Sequence, residues 1–101
     1  MKINILNKHK TFQKGEYIGR GSPLGNPFKI GPDGTREEVV AKYDDWLTDK
    51  INRQDPEIIN ELTRLYYIAE KGELNLICFC SPKLCHGEII RRELHHAYNC
   101  S

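Results

Sequence analysis

Leu74-Asn75-Leu76-Ile77-Cys78-Phe79-Cys80-Ser81-Pro82-Lys83-Leu84-Cys85-His86-Gly87-Glu88-Ile89-Ile90 decides the fold class. Leu74 to Cys80 is a nearly continuous apolar run of strand length, the pattern of a central strand in a covered sheet. Ser81-Pro82 breaks that run. From Gly87 a helical periodicity takes over and runs to about Tyr98, with Ile90, Leu94 and Ala97 on its inward face. A buried strand that feeds a helix is the building step of an α/β domain.

Upstream of this junction the spacing predicts two more helices. Asp55-Pro56 is an N-cap followed by a proline at the first helical position. Ile58, Ile59, Leu62, Leu65, Tyr66 and Ala69 then form a buried stripe, and Gly72 stands where a left-handed C-terminal residue is needed. Thr35 with Glu38 has the spacing of a capping box, and Val39, Val40, Tyr43, Trp46 and Leu47 recur at helical intervals, which gives a helix over 36–51. Trp46, Tyr66 and Tyr67 are expected in the core. Lys2-Ile3-Asn4-Ile5-Leu6 alternates at period two and reads as a strand, and Tyr17-Ile18 as a second, short one. Between them and the first helix, Arg20-Gly21-Ser22-Pro23-Leu24-Gly25-Asn26-Pro27-Phe28 is too rich in glycine and proline for a helix or a central strand. The expected architecture is a single α/β domain over 1–101 with a short, mostly parallel sheet and about three helices.

A chain of 101 residues builds one core. With 39% apolar and 29% charged residues it has globular rather than disordered composition. Fifteen basic residues against 14 acidic ones leave a net charge of +1, so any positive potential is local, which argues against a nucleic-acid polymer as partner. No apolar run approaches the roughly 18 residues of a membrane span. Met1 to Lys10 lacks the apolar stretch of an export signal, so a cytoplasmic location is expected. Three of the four cysteines crowd into Cys78, Cys80 and Cys85, which suits reduced thiols or metal ligands better than a disulfide framework.

Two segments carry chemistry. At a strand-to-helix junction, unpaired N–H groups and the positive end of the helix dipole face the carboxyl edge of the sheet and attract anions. Lys83 adds a charge, Cys85 and His86 polar groups, and Gly87 room for close approach, with Glu88 beside them. A helix start capped by Ser81 and Pro82 accounts for the same residues without a ligand. In the glycine- and proline-rich loop, Arg20 offers a fork of donors to a phosphate, and Gly21, Ser22, Gly25 and Asn26 offer backbone and side-chain groups to hydroxyls. A structural turn over the end of the sheet is the plain alternative.

Cys78, Cys80, Cys85 and His86 are ligand types suited to tetrahedral zinc, but adjacent ligands such as Cys85-His86 are uncommon in structural sites, and free thiols bury readily without metal. No cofactor is therefore expected, with zinc kept as the alternative. Cys85, near a helix N-terminus and beside His86, also has the surroundings of an activated thiol. His95, His96 and Cys100 read as solvated or packing residues.

The paired motifs Arg20-Gly21-Ser22-x-x-Gly25-Asn26-Pro27 and Cys78-x-Cys80-x-Pro82-Lys83-x-Cys85-His86-Gly87 resemble the domain-of-unknown-function family 4326, small proteins of bacteria and their phages. The resemblance implies that Arg20, Gly21, Gly25, Asn26, Pro27, Cys78, Cys80, Pro82, Cys85, His86 and Gly87 occupy motif positions brought to one site, with Glu88 where the family tends to carry an acid. It implies no reaction. By analogy with small nucleotide-handling α/β proteins, the expected function is binding of a small nucleotide-derived ligand with phosphate and ribose. In a phage this would sequester a host immune signal. A homo-oligomer is expected, because so small a domain has little concave surface. The alternative is an enzyme that cleaves a nucleotide or N-glycosidic bond, with Glu88 or His86 as acid/base and Cys85 as nucleophile or zinc ligand.

Overall fold

The computed structural model describes residues 1–9, 13–79 and 84–100. Two strands come first, β1 (Lys2–Asn7) and β2 (Glu16–Tyr17), followed by helices α1 (Arg36–Asn52) and α2 (Pro56–Glu70), strand β3 (Glu73–Cys78) and helix α3 (Gly87–Cys100). The strands form one sheet in the order β1-β3-β2, and both pairings are parallel. The last strand in the chain is thus the central one, as its apolar run predicts.

Both helix starts follow from their sequences. Thr35 Oγ1 accepts the Glu38 N–H at 3.2 Å, and Glu38 Oε1 accepts the Thr35 N–H at 2.9 Å, so two otherwise unpaired donors are satisfied reciprocally. Asp55 caps α2 by accepting the Ile58 N–H at 3.2 Å, with Pro56 at the first position. Gly72 ends that helix at φ +135°, a conformation that a side chain would strain.

The core lies between the helices and one face of the sheet. Leu74, Leu76 and Cys78 of β3 pack with Leu47 of α1, Ile58, Leu65 and Ala69 of α2, and Ile90 and Leu94 of α3. Each fully buried leucine stabilises the fold by about 2 kcal/mol relative to exposure. In register with β3, Ile3 sits opposite Leu74 and Ile5 opposite Leu76, on the same face. The second face behaves differently. Asn4 stands opposite Asn75 and donates to its Oδ1 at 2.9 Å, Tyr17 stands opposite Ile77, and Phe79 just beyond the strand is exposed.

The structure departs from the sequence pattern at four places. Burial along β3 alternates, because the helices cover one face only and Asn75 and Ile77 look to the other. The strand ends at Cys78 and not at Cys80, which lies outside the described residues. Tyr67 is exposed: two helical positions from Leu65 it falls on the far side of α2. Ala97 is exposed because it lines an open groove between α2 and α3, shared with Ile59, Tyr66 and Leu94.

Candidate functional site

The loop after β2 is stapled to itself and to α1. Gly19 O accepts both the Ser22 hydroxyl at 2.6 Å and the Ser22 N–H at 3.1 Å, and Ser22 O accepts the Gly25 N–H at 3.1 Å. A Cβ at Gly25 would lie 2.5 Å from Gly19 O, so only glycine permits this closure. Asn26 Oδ1 accepts the Phe28 N–H at 2.9 Å, and its Nδ2 donates to Val39 O of α1 at 3.2 Å. From below, the buried Tyr43 hydroxyl donates to Leu24 O at 2.7 Å. Burial pushes that phenol far above its usual range, so it stays a neutral donor. Ser22, Gly25 and Asn26 therefore hold the shape of the loop with the very groups read from sequence as ligand contacts.

Arg20 and Gly21 are the exposed part of the loop, Gly21 at φ +90°. Among the described residues, Arg20 has no hydrogen-bond or ion-pair partner. The other arginines are committed. Arg36 donates to Leu84 O, Arg53 to Asp49, and Arg64 to Glu61 and Glu16, while Arg91 pairs with Glu88 and Arg92 with Asp44 and Glu93.

At the start of α3 the chain turns inward. Cys85 is 2% and His86 6% exposed. His86 Nε2 lies 2.6 Å from Ile18 O, and a carbonyl only accepts, so Nε2 carries the proton. Nδ1, 3.5 Å from Cys85 Sγ, is then the acceptor of a neutral ring. Burial lowers the His86 pKa, and the bond to Ile18 opposes this only in part. The Tyr43 ring meets His86 edge-on, with centroids 4.9 Å apart. Cys85 Sγ accepts the Gly87 N–H at 3.4 Å, and Cys85 O and His86 O accept from Glu88 and Ile89 at 3.0 Å. The first N–H groups of α3 are thereby paired within the junction.

The structure thus brings the two motifs together, since His86 holds the carbonyl that precedes Gly19-Arg20 and Gly87 sits against the Ile18 side chain. Their meeting point is packed. Glu88, half-buried, is engaged with Arg91. Lys83 and Cys80 lie outside the described residues. Among the described residues no group of three or more histidine, cysteine or acidic side chains is placed to hold a metal, and both His86 nitrogens are occupied.

The residues that sequence reasoning missed follow the other strand ends. Lys8, His9, Tyr17 and Phe79 cluster at the carboxyl edge, with Phe79 4.9 Å from His9 and 5.9 Å from Tyr17, centroid to centroid. Lys8 Nζ is 5.1 Å from the Tyr17 ring and 5.7 Å from that of Phe79. Beside them opens a cavity of about 600 Å³ lined in part by Lys8, Lys14 and Tyr17. The available signal was parity: Tyr17, Ile77 and Phe79 share the face opposite to Leu76 and Cys78.

Residues 3–96 match the family described as Domain of unknown function (DUF4326), and the chain belongs to that family. No curated protein and no solved structure matches it.

Proposed function

We propose that this member of the DUF4326 family binds a small nucleotide-derived ligand carrying phosphate and ribose, at the carboxyl edge of its sheet. One observation carries the reading: on a loop stapled by its own serine, glycine and asparagine, Arg20 is the arginine left uncommitted among the described residues. The stapled loop spares the backbone ordering cost of binding, and a guanidinium without a partner among the described residues offers a fork of donors to an anion, with only its own side chain left to order. The carboxyl ends of parallel strands are where open α/β sheets take their ligands.

Cys85 and His86 act under this reading as the strut that fixes the loop rather than as nucleophile and base, because both are enclosed and already hydrogen-bonded. A phage-encoded copy would use such binding to withhold a host nucleotide signal in the cytoplasm. A second copy would complete the shallow concave surface.

Calorimetry with a panel of nucleoside mono- and diphosphates tests the proposal. A saturable heat that Arg20→Ala abolishes is expected, and no heat with any member overturns it. Recovery of the released nucleotide chemically unchanged separates binding from the alternative, cleavage of a nucleotide or N-glycosidic bond.

A further inference from the structure

We infer that the exposed Phe79 ring, with Tyr17, His9 and Lys8 around it, is a stacking seat for the aromatic base of an anionic nucleotide. The inference rests on the proposed function and adds the base subsite to it.

Phe79 is 47% exposed directly after the central strand, which leaves nearly half of an apolar ring in water. It is nevertheless held in place. Asn7 Nδ2 donates to Phe79 O at 3.2 Å, and Lys8 N–H donates to Cys78 O at 2.8 Å, which ties the chain on either side of Phe79 and Lys8 to the end of the β1-β3 pair. Its ring neighbours meet it at 47° (His9) and 75° (Tyr17), so parallel stacking, the geometry a base adopts, is unused by them.

Charge selects the ligand. Lys8 stands over both the Tyr17 and Phe79 rings, and Lys14 lines the adjoining cavity. The acid on that wall, Glu16, is engaged by Arg64. An aromatic group that brings its own negative charge suits such a surface better than a neutral aromatic or an apolar peptide. The cavity, about 600 Å³, is in the range of small-molecule sites.

Tyr17 links the seat to the Arg20 turn. A Cβ at Gly19 would collide with the Tyr17 hydroxyl, so the tyrosine that edges Phe79 also lies against the residue before Arg20. A base on Phe79 and a phosphate toward Arg20 would lie along one edge.

The test compares adenosine 5′-monophosphate with ribose 5-phosphate on the full chain by calorimetry. The expected result is that Phe79→Leu weakens the nucleotide about tenfold, at the lower end of the worth of a base–aromatic stack, leaves ribose 5-phosphate unchanged, and is rescued by Phe79→Trp. Equal affinity of the unsubstituted protein for both probes overturns the base seat while leaving the proposed function standing. So does an unchanged nucleotide affinity in Phe79→Leu. Sedimentation adds an independent readout: a dimer that Phe79→Leu dissociates, with nucleotide affinity unaltered, assigns the ring to a protein interface and overturns the inference. Binding of neither probe overturns both readings.

Discussion

His86 and Phe79 flank the same strand-to-helix junction and meet opposite fates. The histidine, a residue type chosen for chemistry, is buried with a proton fixed on Nε2 by Ile18 O and the Tyr43 ring against it. The phenylalanine, a residue type chosen for cores, is half exposed beside Lys8. The contrast teaches that at this junction Cys85 and His86 hold the architecture, while an apolar ring stands in the open. Burying a polar ring is tolerable only when its hydrogen bonds are met inside, and here they are.

The sharpest way to break the contrast is His86→Ala. It leaves Ile18 O without its buried donor and opens a void beside Tyr43, so a loss of about 3 kcal/mol in urea unfolding is expected. An unfolding free energy unchanged within error would show that His86 is not the strut. Next comes Gly25→Ala. Its Cβ would press on Gly19 O, and the loop must shift at a cost of about 2 kcal/mol, read by the same titration.

The pH dependence sharpens the comparison. His86 has a folded pKa below the unfolded value of 6.5, so the unfolded chain binds the extra proton first as the pH falls. This contribution to stability is fully present above about pH 6.5 and declines as the pH drops toward the lowered folded value, with a slope of at most about 1.4 kcal/mol per pH unit. Unfolding curves between pH 7.5 and about 5 should show the decline in the natural sequence, beyond what His86→Ala shows. Equal slopes in the two proteins would mean that the ring is not held neutral.

The smallest stability effect is expected at the open edge. Arg20→Ala should change unfolding by less than about 0.5 kcal/mol, since the guanidinium has no partner among the described residues. The same variant should lose nucleotide binding. A large destabilisation would move Arg20 to the structural side of the comparison.

Much of the fold was legible before any coordinates. Thr35 with Glu38, Asp55 with Pro56, and Gly72 act within a few residues of themselves, so local chemistry settles where α1 and α2 begin and where α2 ends. The apolar run from Leu74 marked the central strand for the same reason. Its one-sided burial was not legible, because whether Ile77 and Phe79 are covered depends on what packs against them from elsewhere in the chain. The candidate site was half legible. The two motifs stand out by their residues, and His86 touches the Ile18 carbonyl just before the first of them. The roles within them were not visible, because a serine or asparagine that ends on its own backbone has the same letter as one that faces a ligand.

By itself, then, the sequence determined the three helices and the α/β class through short-range capping and periodicity, and it carries the family in its match over residues 3–96. Only the tertiary structure decided which polar groups were already satisfied and which rings stood in the open. Hydrogen-bond satisfaction and solvent exposure are properties of neighbours distant in the chain, as His86 with Ile18 and Phe79 with Lys8 and Tyr17 show.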